Sequence, residues 1–365
     1  MLRSALLLLV LGLPLSAQHA KNVILFLGDA GGVATLHAAS ILGHGAPQKL
    51  YIQGMPHIGL SDTSTASQWN SDSAAGMTAI VSGHKTHNGV VSQGPDAVRG
   101  KSDGTPLKTI LEYAEERGLA TGVVTNMTAT DATPAATFAH VNDRKDFSRI
   151  FQQLLDPGFG DGVDVLIGPG RSRIEAALAV DNTSVAALMK RAGRPLYESL
   201  DAIPNGGSRA IALFEGREEF SLEQAVARAI AMLSMNPKGF FLMVEGDMHT
   251  SDVDGGLRRV LELDEIIRTT AEGQRNNKTL ILFTADHSFD LRIRGGKRGE
   301  PLLSAEDEGL SQDGKAYRGK AVRMDGDHTA EEVVVAAEGP GADRVRGYML
   351  NTEVFHIMMQ AYGWE

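Results

Sequence analysis

The sequence predicts an α/β fold, with a doubly wound, mostly parallel central sheet carrying helices on both faces. Short uninterrupted apolar runs recur, segments with helical spacing alternate with them, and acidic or histidine-bearing residues follow several of the runs. Continuous apolar runs are what parallel strands buried on both faces look like, and alternation with helices marks the doubly wound class. Sites in such folds gather at the carboxyl ends of strands.

Along the chain, Asn22-Val23-Ile24-Leu25-Phe26-Leu27 predicts a first buried strand that stops at Gly28-Asp29. Strands are expected again over 121–125, 163–168, 239–244, 279–283 and 333–337. Helices are expected over 107–117, from a capping-box start at Ser221-Leu222-Glu223-Gln224 to Leu233, and over 256–272. The polar, Gly-rich stretch 292–323 reads as a long surface excursion from a single domain spanning 18–365. There is no internal repeat or low-complexity tract.

Residues 1–17 read as a secretory leader: Arg3 supplies the positive start, Leu6 to Leu13 the apolar centre and Ser16-Ala17 the small residues before cleavage. That centre is too short to cross a bilayer, so no transmembrane segment is expected after leader removal. The chain has 365 residues, 42% hydrophobic and 22% charged, enough for a large core, and has no cysteine. A large-core protein exported to the periplasm or medium without disulfides fits that composition. The formal charge of −10 argues against a stable nucleic-acid partner.

The candidate ligands come in four pieces: Gly28-Asp29, Glu245-Gly246-Asp247-Met248-His249, Thr284-Ala285-Asp286-His287 and Asp327-His328-Thr329. Carboxylates and imidazoles delivered to one point suit a polynuclear divalent-metal site. In Asn70-Ser71-Asp72-Ser73-Ala74-Ala75-Gly76, a serine stands where a helix start would offer free N–H groups to a phosphate. Taken alone, Asp72 or Ser73 is equally a helix cap.

Together these strings resemble the alkaline phosphatases. The resemblance rests on Phe26-Leu27-Gly28-Asp29, Asp72-Ser73-Ala74-Ala75-Gly76 followed by Ser82-Gly83-His84-Lys85-Thr86-His87-Asn88-Gly89, Asp131-Ala132-Thr133-Pro134-Ala135-Ala136, 238–245, Thr284-Ala285-Asp286-His287 and His328-Thr329, in the family's order. It implies a hydrolase of phosphate monoesters with two Zn2+ and one Mg2+, working through a phosphoserine.

Ser73 then resembles the nucleophile, Arg144 the substrate arginine and Asp72 the residue that positions it. Asp29 would bridge a zinc and the magnesium, Asp286 and His287 would hold the zinc beside the serine, and Thr133 and Glu245 would hold the magnesium. Asp131 would tune that third ion without touching it. His328, with Asp247 and His249, would hold the other zinc.

One loop departs from the family, whose Asp and His stand four residues apart and five beyond the magnesium glutamate. Here Asp247 follows Glu245 by two and His249 follows Asp247 by two, with Asp252 and Asp254 as substitute carboxylates. Met248 stands where relatives often carry a polar or aromatic residue close to the phosphate. His84 and His87 read as solvated loop residues.

Two alternatives stay open: a phosphodiesterase or nucleotide pyrophosphatase on the same scaffold, and an exported metal- or phosphate-binding protein without turnover. A sulfatase is disfavoured, because no Pro and Arg follow Ser73 at the required spacing. Relatives are commonly homodimers, and for this chain a homodimer remains an open expectation.

Overall fold

The computed structural model describes residues 19–204, 206–304 and 316–365, so the expected leader lies outside the described residues. In chain order the strands are β1 (Asn22–Asp29), β2 (His57–Asp62), β3 (Ala120–Thr125), β4 (Val165–Pro169), β5 (Leu196–Tyr197), β6 (Ala210–Phe214), β7 (Phe240–Asp247), β8 (Thr279–Thr284), β9 (Ser288–Ile293), β10 (Tyr317–Arg318), β11 (Val322–Thr329), β12 (Val333–Glu338) and β13 (Gly347–Leu350). Among the described residues, ten of them form one sheet in the order β13-β2-β12-β8-β1-β7-β3-β4-β6-β5. Its neighbours pair in parallel except around β12, which runs antiparallel to β8 and β2. The doubly wound, mostly parallel expectation holds, and 333–337 is its one antiparallel member.

Successive strand residues point to opposite faces, so one strand feeds two cores. In β1, Val23, Leu25 and Leu27 join the apolar cluster on one face, and Ile24 and Phe26 join the cluster on the other. Helix Ser73–Ser82 supplies Ala74, Met77, Ile80 and Val81 to the first cluster, and helix Val253–Gln274 supplies Leu257, Val260 and Leu263 to the second. Both faces are therefore covered.

This parity positions the site. Asp29 continues the 23-25-27 series, Glu245 and Asp247 continue the 241-243 series of β7, and Thr125 continues Val123 of β3. In register, Asp29 pairs with Asp247, and Glu245 pairs with both Leu27 and Thr125. The carboxylates of the central strands thus emerge on the face covered by the serine-bearing helix.

Expected helices appear as Ile110–Glu116, Leu222–Leu233 and Val253–Gln274. The first opens with a full capping box between Thr109 and Glu112; at the second, Ser221 accepts from the Gln224 N–H. Both described ends of the 292–323 stretch contribute strand residues. They enter a three-stranded sheet, β10-β11-β9, which leaves the main sheet just after His287 and returns carrying His328. No helix among the described residues is long and apolar enough to cross a membrane.

Candidate active site

Ser73 is the first residue of its helix, buried, with Asp72 as N-cap accepting from the Ala75 N–H at 3.1 Å. The helix start lies against the Asp286 turn. A Cβ at Gly76 would fall well inside contact distance of the Asp286 carbonyl oxygen, so a larger residue would push Ser73 away from the cluster. Ser73 Oγ sits 3.3 Å from His287 Nε2.

Arg144 reaches the same helix start. Its Nη1 donates to Asp72 at 3.1 Å and its Nη2 to Asp131 at 3.0 Å, while its backbone N–H holds the Gly89 carbonyl. Burial works against the charged guanidinium, but Asp131 and Asp72 outweigh it and raise its pKa above the ordinary arginine value. Clamped through two nitrogens, the fork is oriented before any ligand arrives.

Asp29, Glu245 and Asp286 are all buried at the strand ends. Burial pushes Glu245 far up, with Asp29, Asp131 and Asp286 adding to the rise against the hydrogen bond from Thr125. Burial and Asp29 likewise raise Asp286 to about 6. Burial also opposes ionisation of Asp29, yet His249, His287 and Arg144 hold its carboxyl well below the usual range. Thr133 is buried and its Oγ1 lies 3.5 Å from Asp286 Oδ2, in a short helix capped by Asp131.

His287 faces this crowd through Nε2, and His249 approaches Asp29 through Nδ1 at 3.8 Å. His287 gives its Nδ1–H to the Ser288 carbonyl at 3.1 Å, and His328 gives its own to the Ser71 carbonyl at 3.0 Å. Their rings stack with centroids 3.8 Å apart. Burial and the neighbouring His287 pull His328 down to about 4, whereas Asp286 and Asp29 overcome burial to lift His287 to about 9.

Potential ligand atoms of His249, His287 and His328 form one group within 4.8 Å of one another, and those of Asp29, Asp286 and His287 form a second. Asp29 Oδ1 is buried, lies 3.3 Å from His287 Nε2 and accepts no hydrogen bond. With the His287 proton on Nδ1, two lone pairs face each other across that gap, and only a cation relieves them. That can be a second proton or a metal ion, so the donor set fits divalent metal.

The compressed loop is tied to protein. Asp247 Oδ2 meets Arg217 at 2.7 Å and Arg259 at 3.2 Å, and its Oδ1 accepts from both the backbone N–H and Nδ1 of His249 at 3.0 Å. Asp247 belongs to neither ligand group. Asp252 caps helix Val253–Gln274 and Asp254 pairs with Arg258, so both serve that helix. Met248 is fully buried, with its sulfur filling the space beside Gly28 and Gly31, and it packs under the β1 turn. His84 is exposed, whereas His87 is tied by Ser67 and the Pro95 carbonyl.

Thr125, Asn126, Arg217 and Arg259 escaped sequence reasoning. Thr125 closes an apolar run, but its hydroxyl reaches Glu245. Asn126 accepts from the Asp247 N–H. The two arginines come from segments with no motif, and only their approach in space connects them to the loop.

The family model described as "Alkaline phosphatase" matches residues 20–211 and 212–318. The chain is 32% identical to streptomycin-6-phosphate phosphatase of Streptomyces griseus over 94% of its own length and 91% of that protein. It is 26% identical to the human tissue-nonspecific alkaline phosphatase isozyme, covering 95% of this chain and 84% of that one. Its fold is similar to that of the alkaline phosphatase of the Antarctic bacterium TAB5, with TM-score 0.78, 23% identity and 96% and 99% of the two chains covered. Extending over nearly the whole catalytic sheet, these matches make the chain a member of the alkaline phosphatase family.

Proposed function

We propose that this phosphatase-family enzyme is an exported phosphate monoester hydrolase working through a phosphoserine at Ser73. The observation that carries the reading is the convergence of Ser73 Oγ, His287 Nε2 and the Arg144 fork at one buried helix start beside the carboxylate cluster. Small phosphate monoesters are the substrates, and the cofactors are two Zn2+ and one Mg2+. Asp286 and His287 would hold one zinc and His249 with His328 the other. Thr133 and Glu245 would hold the magnesium, and Asp29 would bridge. When bound, the ions supply Lewis-acid stabilisation of developing charge and lower the pKa of oxygen nucleophiles.

The chain's own residues do the rest. Free N–H groups at the helix start and the Arg144 guanidinium take the non-bridging phosphoryl oxygens. Ser73 gives its proton to solvent water and attacks phosphorus opposite the leaving oxygen, forming the Ser73 O–P bond as the ester P–O bond breaks. The alkoxide leaves and takes up a proton. A water then displaces the phosphate from Ser73, returning the hydroxyl, and two inversions leave phosphorus with its configuration retained. Asp72 and Asp131 keep Arg144 in place through both steps.

Turnover of p-nitrophenyl phosphate and of its bis ester, with and without chelator, tests the reading. The monoester should be strongly preferred, with activity lost to chelator and restored by zinc and magnesium. Preference for the bis ester would make the chain a diesterase, and no turnover of either with metals present would make it a binding protein.

A further inference from the structure

We infer that Asp247 is a positioning residue for His249 and not a metal ligand, so the zinc position built from this loop rests on histidine donors. The inference rests on the proposed metal site and departs from the family pattern of an aspartate and a histidine on a longer loop. Three observations carry it.

First, each of the three cluster histidines has an oxygen partner at Nδ1. His287 gives Nδ1–H to the Ser288 carbonyl and His328 gives its own to the Ser71 carbonyl, which leaves Nε2 as the free nitrogen of each. His249 Nδ1 lies 3.0 Å from Asp247 Oδ1 and 3.8 Å from Asp29 Oδ1, so the nearer carboxylate, Asp247, does for His249 what backbone carbonyls do for the other two. A ligating imidazole needs such a partner to fix its tautomer and ring orientation.

Second, Asp247 has no oxygen to spare. Oδ1 also accepts the His249 backbone N–H, and Oδ2 sits between Arg217 and Arg259. Arg259 further donates to the carbonyls of Asp247 and His249, so the whole turn is fixed in this arrangement. A cation recruited to that carboxylate would sit against two guanidinium groups, a like-charge approach in a buried place. Third, the groups of converging ligand atoms contain His249 and His328 but not Asp247.

Shortening the loop has therefore moved a carboxylate from the metal to the histidine behind it. The His249–His328 position carries less negative charge than the Asp29–Asp286–His287 position and should release zinc first to a chelator.

The test is zinc affinity of the full chain, measured by chelator competition and metal analysis, together with long-range 15N–1H spectra of the histidines. Asp247→Asn keeps an oxygen acceptor for Nδ1–H and should hold zinc at the His249–His328 position nearly as well as the wild type. Asp247→Ala should weaken that position about 10–100-fold and leave the other occupied. Equal losses in the Asn and Ala variants, or no loss in Ala, would overturn the inference. The spectra need no variant: zinc-loaded wild type should show His249 protonated at Nδ1 and metal-shifted at Nε2, and a bare Nδ1 would contradict it. Wild-type protein that takes up no zinc would sink both this inference and the proposed function, whereas equal Asn and Ala losses would sink the inference alone.

Discussion

Two buried charged clusters lie on the same side of the central sheet, and they are built on opposite principles. Behind helix Ile110–Glu116, Glu112 accepts from the Thr109 N–H at 2.9 Å and from His140 Nε2 at 2.8 Å, while His140 Nδ1 reaches the Ser92 carbonyl. Nearby, Glu115 takes the Thr121 hydroxyl and the N–H groups of Asp161 and Gly162 at 3.1 Å each. Every charge there is answered by protein. At the strand ends, Asp29, Glu245 and Asp286 are gathered against one another, and Asp29 Oδ1 accepts no hydrogen bond. Buried charge as such therefore does not mark function. Like charges crowded together with a partner missing mark the place where a cation belongs.

The largest effect should come from the reactive member of the second cluster. Ser73→Ala should lower kcat by on the order of 10³-fold or more while zinc and magnesium content stays at wild-type levels. Metal loss in that variant would mean Ser73 belongs to the scaffold and not to the chemistry. In the first cluster, Glu112→Ala removes both the His140 partner and the carboxylate arm of the capping box. It should cost about 3–5 kcal/mol in denaturant unfolding without changing KM of the folded enzyme. A shifted KM would break the division between a structural and a functional cluster.

Arg144→Ala should cost about 3 kcal/mol in kcat/KM, with stability changed far less. Arg144→Lys should recover only part of that loss, because an ammonium cannot meet two oxygens with a planar fork. Full recovery would show that charge alone suffices.

The smallest effect is the pH response of the first cluster. Burial pushes the Glu115 carboxyl up to about 7 from its usual 4.5, so the folded chain holds that proton more tightly than the unfolded one. Its contribution is then fully present below about pH 4.5 and lost as pH rises through 7, on the order of 1–3 kcal/mol. Between pH 5 and 9, wild-type Tm should fall more than that of Glu115→Gln. Parallel curves would contradict the assignment.

The sequence made β1, β3, β7 and β8 legible because strands buried on both faces leave unbroken apolar runs with sharp ends. It left β2 and β13 unread. In β2 the buried Gly59 and Ser61 alternate with the more exposed Ile58 and Leu60, the reverse of the usual pattern, and Gly347–Leu350 has no buried position at all. The antiparallel direction of β12 was equally hidden, since an apolar run carries no sign of its orientation. At the site, Ser73, Arg144, Asp29, Asp286, His287 and His328 stood out through motif order, and the structure brings these six side chains to one strand-end region. The partners of Asp247 did not stand out. Arg217 and Arg259 lie 30 residues before and 12 residues after it, and nothing local joins them.

The central claim is that phosphate passes through Ser73, and acid-quenched phosphoenzyme measures it most directly. Metal-loaded protein mixed with excess p-nitrophenyl phosphate and quenched at low pH should retain phosphate on the peptide containing Asp72-Ser73-Ala74. The modification should map to Ser73 and be absent from Ser73→Ala. Active enzyme that hydrolyses the monoester while carrying phosphate on another residue, or a Ser73→Ala variant with undiminished phosphoenzyme, would contradict the account.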